Sequence, residues 1–399
     1  MKILVINAGS SSLKYQLINM ENQHVIAKGN CERIGVDGLI THKFNGRELQ
    51  YAVSFPTHKE AFMEVVKALT SGEGKVIDDV KEITAVGHRI LHGSEVYKVS
   101  TLITDQVIDD IESFSELGPL HNPPQAAAMR ACREVFGPET PMVAVFDTSF
   151  HQTMPEKAFM YGIPYEYYEK YHIRKYGFHG TSHRYVSRHY LEITGKNPEG
   201  TKLVVCHLGN GSSITAVKDG KCIDTSMGFT PLDGIIMGTR SGSIDPSVLI
   251  YLENKEGLSA DEMSDVLNKK SGFLGLSGLS SDARDLVNAS KQGNKRAKMV
   301  CDMVRYEIKK FIGSYAAAMG GLDAVLFTGG IGENSNELRT EVCEGLEFMG
   351  IVLDETENKN KTGKDHKISA ANAGVEVWVI PTNEELAIAI DTKAIVEKL

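Results

Sequence analysis

Two segments of this 399-residue chain have the same pattern 200 residues apart. In each, an apolar run ends in a turn of small residues and a second, alternating run follows, beginning at residues 3 and 203. Gly9 and Ser12 of the first turn correspond to Gly209 and Ser212 of the second. Each segment predicts a strand, a tight turn and a second strand. Solenoid repeats are only roughly 20–50 residues long, so we predict two similar domains, each opening with this hairpin.

Both hairpin turns are rich in glycine and serine. Successive backbone N–H groups in such a turn can form an anion-binding nest, although similar turns also join strands that bind nothing. The occurrence of two matching turns favours the interpretation that they hold a polyphosphate from both sides.

The composition, with 42% hydrophobic and 24% charged residues, is that of an ordinary globular protein. The net charge of −9 argues against sequence-independent nucleic-acid binding, although a local basic pocket for ATP remains compatible with it. The six cysteines are scattered without a C-x-x-C pair, which is typical of a reducing compartment. No apolar run approaches the ~20 residues of a membrane span. We therefore expect a cytoplasmic protein without a nucleic-acid or membrane partner.

Predicted strands and helices alternate along the chain, which indicates an α/β architecture, and the polar segment 354–367 is expected to be an exposed connection. In open α/β sheets ligands bind at the carboxyl ends of strands. Asp147 and Arg89 end two predicted strands, and Arg240 lies in a glycine-flanked loop. The arginines could grip a carboxylate or phosphate bidentately, or lie on the surface. Asp147 could orient a nucleophile or hold a water of Mg²⁺, or simply cap a turn.

Two histidines, His179 and His183, have the i, i+4 spacing of metal ligands on a helix. The glutamate of H-E-x-x-H is absent and Gly180 suits a helix interior poorly, so a zinc site is not favoured. We predict that His179 donates to a phosphoryl oxygen, that His183 is structural and that Ser182 is a helix N-cap.

Residues 329–335 follow a predicted strand and open a helix, which suits a nucleotide contact. The G-x-G-x-x-G spacing is missing there, and the chain contains no G-x-x-x-x-G-K-[ST] sequence. The sequence therefore predicts neither a Rossmann dehydrogenase nor a P-loop NTPase.

Taken together, these motifs resemble those of the acetate kinase family, from Met1 to the terminal helix. The resemblance is carried by residues 7–14, 87–89 with 92–93, 120–123, 146–148, 178–183, 207–211, 237–242, 328–334 and 381–385.

The resemblance implies the α/β architecture of actin, Hsp70 and the sugar kinases, with two duplicated RNase H-like domains around a nucleotide cleft. The first domain would comprise residues 1–150 with 386–399, and the second would comprise residues 151–385. It also implies a homodimer that uses ATP or ADP with Mg²⁺, or Mn²⁺ in its place.

Roles for individual residues are likewise implied by the resemblance. The catalytic set would be Asp147, Arg89, Arg240 and His179, with further phosphate contacts from His121, Asn210, Gly211, His207 and Lys14. The nucleotide would lie against His207, Leu208, Gly209, Asn210, Gly211, Asp282, Ala283, Arg284, Gly330, Ile331, Gly332 and Asn334. The substrate would contact Arg89, Leu91, Leu120, Phe178 and Pro231, and Asn7 and Glu384 would hold the metal.

The implied activity is that of a phosphotransferase with a carboxyl acceptor, which transfers phosphoryl between ATP and acetate to give acetyl phosphate and ADP. A carboxylate is already a nucleophile at neutral pH, so direct in-line transfer is favoured over a phosphoenzyme on Glu384. Leu91 stands where the family often has Val, which favours acetate over propionate. The alternatives are a propionate kinase, a nucleotide-gated binding protein of the actin or Hsp70 type, and a zinc hydrolase built on His179 and His183.

Overall fold

The computed structural model describes residues 1–119 and 121–399, so Leu120, one of the residues assigned to the substrate pocket, lies outside the described residues. The chain divides into two compact units. The first consists of Met1–Phe150 and Asn383–Leu399, and the second of His151–Thr382.

The first unit is built on an eight-stranded sheet with the strand order β5-β4-β3-β2-β1-β6-β8-β7. Its elements in chain order are β1 (Lys2–Ala8), β2 (Ser12–Asn19), β3 (His24–Glu32), β4 (Leu39–Phe44), β5 (Arg47–Ala52), α1 (His58–Thr70), β6 (Ile83–Ile90), β7 (Thr101–Leu102), α2 (Asp105–Ser113), α3 (Asn122–Phe136) and β8 (Met142–Phe146). β1 pairs antiparallel with β2 and parallel with β6, and β6 pairs parallel with β8.

The second unit contains a six-stranded sheet with the order β11-β10-β9-β12-β14-β13. Its elements are α4 (Glu156–Phe159), α5 (Glu166–Tyr171), α6 (Gly180–Thr194), β9 (Lys202–Leu208), β10 (Ser212–Lys218), β11 (Lys221–Thr225), α7 (Pro246–Glu256), α8 (Ala260–Lys269), α9 (Gly272–Ser277), α10 (Ala283–Lys291), α11 (Lys295–Met319), β12 (Ala324–Thr328), α12 (Gly329–Asn334), α13 (Asn336–Cys343), α14 (Glu355–Lys359), β13 (His366–Lys367) and β14 (Glu376–Val379).

The repeat seen in the sequence is a repeat of topology. In both units the opening hairpin is antiparallel, and its first strand also pairs in parallel with a later strand, β6 in the first unit and β12 in the second. The five-strand order β3-β2-β1-β6-β8 therefore matches β11-β10-β9-β12-β14. The predicted strand–turn–strand segments at residues 3 and 203 are confirmed as β1–β2 and β9–β10.

A terminal helix, α15 (Glu384–Val396), follows the second unit in sequence and packs on the sheet of the first. It covers the β1–β6–β8 face, where Val5, Ala85 and Val143 are buried with Ile388 of the helix. The opposite face of that sheet packs on α1, α2 and α3. α15 therefore completes the core of the first unit.

The helix ends follow their sequence signals closely. Pro246 opens α7 behind the cap residue Asp245, and Gly257 ends that helix in the left-handed conformation with φ of 69°. Ser259 and Glu262 form the expected capping box of α8. In the described part of the chain, no helix has the length and apolar character to cross a membrane.

Candidate active site

In the first unit, an arginine and an aspartate meet at the ends of neighbouring parallel strands. Arg89 lies near the end of β6 and Asp147 directly follows β8. Arg89 Nε and Nη2 both donate to the Asp147 carboxylate, and the Nη2–Oδ2 distance is 2.7 Å. Glu384, the first residue of α15, places Oε2 3.5 Å from Arg89 Nη2.

This ion pair is largely withdrawn from water, since only 1% of the Asp147 side chain and 23% of the Arg89 side chain are exposed. Burial raises the pKa of the Asp147 carboxyl, and the adjoining Arg89 guanidinium opposes that shift. Although burial alone would lower it, the pKa of Arg89 is raised by Asp147 and Glu384. Arg89 therefore stays positively charged, and hydrogen bonds from its Nε and Nη2 to Asp147 fix the orientation of its guanidinium.

A cavity of about 220 Å³ opens beside this pair within the first unit. Asn7, Lys14, Arg89 and Glu384 all line it, so the structure brings together four residues to which the sequence assigned phosphate, substrate or metal contacts. Glu384 Oε2 is buried and accepts no hydrogen bond from the described residues. A carboxylate and an amide side chain that line one cavity suit Mg²⁺, with waters and phosphate oxygens as the other ligands.

In the second unit, four histidines gather around the start of α6. His179 occupies the N-cap position of α6 with φ of 58°, and its ring stacks on that of His207 with 4.3 Å between centroids. His183 lies one turn further along and His151 packs edge-on against it at 5.7 Å. The prediction that Ser182 caps this helix is wrong, because α6 begins at Gly180 and the capping position falls on His179.

Hydroxyl groups join these rings. Ser213 Oγ lies 2.9 Å from His179 Nδ1 and 2.7 Å from His183 Nε2. Ser182 Oγ lies 2.8 Å from His207 Nδ1 and 2.7 Å from Thr382 Oγ1. The two histidines with metal-ligand spacing thus share a serine hydroxyl.

Burial disfavours the charged form of the inner histidines of the cluster. Burial holds the pKa of His183 well below its usual value, and the nearby rings of His151 and His207 lower it further. Burial lowers the pKa of His151 to about 4, and the Nε2 of His151 lies 3.0 Å from the carbonyl oxygen of Phe178. Because that carbonyl can only accept, His151 carries its proton on Nε2.

Arg240 approaches the same place from a loop. Its Nη1 donates to the carbonyl oxygen of Pro231 at 2.9 Å, and burial lowers the pKa of the guanidinium. A Cβ atom on Gly211 would lie 3.4 Å from His179 Nε2 and 3.5 Å from Arg240 Nη1. The bare backbone of Gly211 therefore lies beside a ring nitrogen of His179 and the guanidinium of Arg240, an arrangement suited to holding a phosphoryl group.

A larger cavity of about 810 Å³ lies in the second unit. Eight of the residues assigned to the nucleotide line it: Gly209, Asn210, Asp282, Ala283, Arg284, Gly330, Ile331 and Asn334. Asp282 caps α10 and also accepts from Arg284 Nη2 at 2.6 Å. Gly329, with φ of 77°, has no room for a side chain, because a Cβ would lie 2.7 Å from the carbonyl oxygen of Leu208.

Other residues assigned to the nucleotide do not line this cavity. Leu208 is buried with 1% of its surface exposed, Gly332 is buried and accepts from Arg339 at 2.7 Å, and His207 belongs to the histidine cluster. Gly211 faces His179 and Arg240 instead.

The residues assigned to the apolar end of the substrate are distributed over both units. Leu91 is buried in the first unit, where its N–H donates to Gln125 Oε1 at 3.0 Å. Phe178 is buried in the second unit, and Pro231 contributes its carbonyl to Arg240 there. His121 lies half-buried at the N-cap of α3 in the first unit.

Several polar residues of the site were not anticipated from the sequence. Ser213 links two histidines, and Glu333 Oε1 accepts from the backbone N–H of Gly329 and of Thr382. One signal for Ser213 existed: the corresponding position in the first repeat is Leu13, so the repeat exchanges an apolar for a polar buried residue there.

Comparison with known proteins identifies the family to which this chain belongs. Residues 2–390 match the model of the acetokinase family. The chain belongs to the acetokinase family. It is 56% identical over 401 residues to the acetate kinase of Thermoanaerobacterium thermosaccharolyticum, with all of both chains covered. It is 55% identical to the acetate kinase of Methanosarcina thermophila, covering 97% of that protein.

Solved structures of the family have the same fold. The crystal structure of the Porphyromonas gingivalis acetate kinase superposes with a TM-score of 0.96 at 45% identity, covering 99% of each chain. A propionate kinase from Francisella tularensis gives a TM-score of 0.91 at 40% identity, covering 98% of this chain and 99% of its own. The duplicated α/β architecture that the sequence resemblance implied is thereby confirmed.

Proposed function

We propose that this chain catalyses reversible phosphoryl transfer between ATP and acetate, giving ADP and acetyl phosphate. The observation that carries the proposal is the convergence of His179 Nε2 and Arg240 Nη1 on Gly211, in a chain that matches acetate kinases over its whole length. Asn210, next to Gly211, lines the cavity assigned to the nucleotide. A nucleotide seated in that cavity can present its terminal phosphates to both donors.

The charge distribution suits transfer to a carboxylate. The transition state of phosphoryl transfer spreads negative charge over three equatorial oxygens, and fixed donors in a site sheltered from water stabilise it. Arg240 and His179 would supply such donors. Arg89 would hold the acceptor carboxylate, and its cationic fork reduces the repulsion between two anions.

Asp147 would act through Arg89. Its carboxylate accepts from Nε and Nη2 of that arginine and is almost fully buried, so it orients the guanidinium. Since acetate is already ionised at neutral pH, the reaction requires no strong base. Direct in-line transfer is therefore favoured over a phosphorylated protein intermediate.

Mg²⁺ would be held by Asn7 and Glu384, with Mn²⁺ as a possible replacement. Such an ion would neutralise charge on the phosphate oxygens of a nucleotide. In residues 1–119 and 121–399, no three His, Cys, Asp or Glu side chains are grouped to hold a metal by themselves. With two protein ligands, the remaining positions of the ion would be filled by phosphates and water, which is usual for Mg²⁺.

The substrate preference rests on the size of the apolar contact. Leu91 is larger by one methylene than the Val that is frequent in the family, and this favours acetate over propionate. One methylene is worth about 1–3 kcal/mol of discrimination. The similarity to a propionate kinase makes propionate the second candidate substrate.

A hydroxylamine trap assay with MgATP tests the function, because hydroxylamine converts an acyl phosphate into a coloured hydroxamate. Acetate, propionate and butyrate are compared as acceptors. A kcat/KM at least tenfold higher for acetate supports the proposal. Equal or better use of propionate favours a propionate kinase, and no product with any acceptor favours a nucleotide-gated binding protein of the actin or Hsp70 type.

The same preparation tests the phosphoenzyme alternative. Protein incubated with γ-labelled ATP and no acceptor should retain no label after rapid denaturation. Label that is retained, and that is lost in the Glu384→Gln variant, would establish a phosphorylated Glu384 instead.

Two further proposals concern the state of the protein. A homodimer is supported by α7, which contains no buried residue and exposes Ile250 and Tyr251. A reducing compartment such as the cytoplasm is supported by six cysteines that are all free and buried.

A further inference from the structure

The Ser213 hydroxyl has two histidine neighbours but only one proton to donate. His179 Nδ1 lies 2.9 Å away and His183 Nε2 lies 2.7 Å away. Both distances are those of hydrogen bonds, and among the described residues the hydroxyl has no other acceptor for its proton. The hydroxyl therefore donates to one ring and accepts from the other. The protonation of one histidine therefore determines that of the other.

The buried end of this chain is His183. Its side chain is fully buried and its Nδ1 has no hydrogen-bond partner in the described part of the chain. Burial and the neighbouring rings keep it neutral. An unsatisfied buried N–H is rarer in proteins than an unsatisfied acceptor, so the single proton of His183 is on Nε2 and points to Ser213.

With His183 as donor, the Ser213 proton is directed to His179. We propose that Ser213 and His183 are positioning residues that hold His179 as the neutral tautomer with its proton on Nε2. The Nε2 of His179 is the atom that faces Gly211 beside Arg240. The tautomer thus presents an N–H, rather than a lone pair, to the place where the proposed function puts a phosphoryl oxygen.

The charged and titratable neighbours agree with a neutral His179. Its ring stacks on His207, 4.3 Å away, and Arg240 Nη1 approaches the same point above Gly211. If His179 Nδ1 were protonated, its N–H would point at the O–H of Ser213. The hydrogen bond that Ser213 donates to this nitrogen would then be lost. His151 does not add a positive charge to the cluster near neutral pH, because burial lowers its pKa to about 4.

The decisive experiment is ¹⁵N–¹H long-range correlation NMR of the full-length protein labelled at histidine, which distinguishes protonated from bare ring nitrogens. His179→Gln identifies the His179 signals among those of the 13 histidines. At pH 7.5 we expect Nε2 to be protonated and Nδ1 bare. Protonation at Nδ1, alone or together with Nε2, overturns the proposal.

Variants then separate positioning from folding. Ser213→Ala should give a mixture of both His179 tautomers and lower kcat about three- to tenfold, the scale of one hydrogen bond, with the KM for ATP within twofold. His183→Gln retains an N–H donor towards Ser213 and should keep the His179 tautomer, whereas His183→Met should lose it. An unchanged tautomer in both Ser213→Ala and His183→Met would refute the assignment.

The NMR readout does not depend on turnover. A chain that shows the expected tautomer but forms no acyl phosphate would contradict the proposed function and leave the positioning role intact. A chain that forms acetyl phosphate while His179 is in the other tautomer would support the proposed function and contradict the positioning role of Ser213 and His183.

Discussion

Arg240 is held by contacts to its own loop and to the opposing turn. Its Nη1 donates to Pro231 and lies near Gly211, and no carboxylate neutralises it in the described structure as Asp147 does for Arg89. Such a guanidinium is available to an incoming anion and needs little rearrangement to bind one. This difference between the two arginines predicts different consequences of substitution.

Arg240→Ala should lower kcat by roughly 10²-fold or more, because it removes a pre-organised donor from the developing charge. Steady-state kinetics in both directions measures the effect. Arg240→Lys keeps the charge but loses the planar fork, so it should recover only part of the loss. A decrease of less than about tenfold for the alanine variant would contradict the assigned role.

Asp147→Asn should destabilise the protein, because it removes the nearer of the two carboxylates beside the buried Arg89 guanidinium and leaves only Glu384 at 3.5 Å. Breaking a buried pair costs about 3–5 kcal/mol of unfolding free energy. Urea unfolding measures this loss. Asp109→Asn, at the exposed Arg130 pair, is the matched control and should change stability by no more than about 0.5 kcal/mol.

The sequence identified Arg89 and Asp147 because charged residues at the ends of apolar strands are conspicuous. It did not identify Ser213, because a serine inside a strand resembles any other polar residue of an alternating pattern. The hydrogen bonds that give Ser213 its role join β10 to α6, about 30 residues away in sequence. Hydrogen bonds between such distant residues depend on tertiary packing, and the local sequence pattern around Ser213 does not reveal them.

Among the elements, the packing of α15 on β6 depends on a missing side chain. A Cβ on Gly87 would lie 2.5 Å from Thr392 Oγ1 and 2.7 Å from Ile388 Cγ2 of the helix. The glycine therefore allows the close approach that also brings Glu384 to the cavity beside Arg89.

Gly87→Ala should push α15 away from the sheet and cost about 1–3 kcal/mol, the usual range for overpacking. Thermal unfolding gives the stability, and the dependence of activity on Mg²⁺ concentration reports any displacement of Glu384. Gly313→Ala on α11, where a Cβ meets nothing within 4 Å, should instead be neutral or slightly stabilising.

Strand β6 and the residues after it also contain two buried neutral histidines. Burial lowers the pKa of His88 and of His92 to about 3. The unfolded chain binds protons at these two histidines below about pH 6.5, whereas the folded chain does not. Above that pH the two sites therefore do not reduce the free energy of unfolding. Stability is lost progressively as the pH falls towards 3.

At pH 5 each such histidine should reduce the unfolding free energy by about 2 kcal/mol. His88→Gln should therefore flatten the decline of the melting temperature between pH 6.5 and 5. The exposed residue His24 provides the control, since His24→Gln should leave the decline as it is. An identical slope in wild type and His88→Gln would contradict this origin of the acid sensitivity.

Most element boundaries agree with the sequence because caps, prolines and glycines are local signals. The segment 354–367 agrees only in part: most of it is exposed, as expected of a connection, but it contains α14 and β13 and one buried residue. Asn358 is fully buried there and accepts from Arg339 Nε at 2.8 Å. The buried guanidinium on α13 requires acceptors, and this requirement orders a segment whose composition alone indicates a loop.

For the whole molecule, the repeat at an offset of 200 residues is sufficient to predict two related domains, because the two opening hairpins have similar strands, of 7 and 8 residues in the first and 7 and 7 in the second. The later strands of the two units are not in register with that offset, since β6 begins at Ile83 and β12 at Ala324. Insertions between strands obscure the rest of the duplication in sequence but leave the strand order intact.

The proposed homodimer makes a prediction about mass. Tyr251 on α7 has 61% of its surface exposed, and Tyr251→Glu should shift the protein from dimer to monomer in light scattering after size exclusion. Tyr306→Glu, at the similarly exposed Tyr306 on α11, should leave the mass of the wild type unchanged. A wild-type mass of about one chain would rule out the dimer.

The first unit is assembled from the two ends of the chain, and this has a consequence for its synthesis. The second unit is continuous in sequence and can fold as soon as it has left the ribosome. The sheet that contains Val5 and Val143 must wait with one apolar face uncovered until α15, which follows the second unit in sequence, has been translated and covers it. Truncation of the chain before Asn383 would therefore spare the second unit and leave the first unit prone to aggregation.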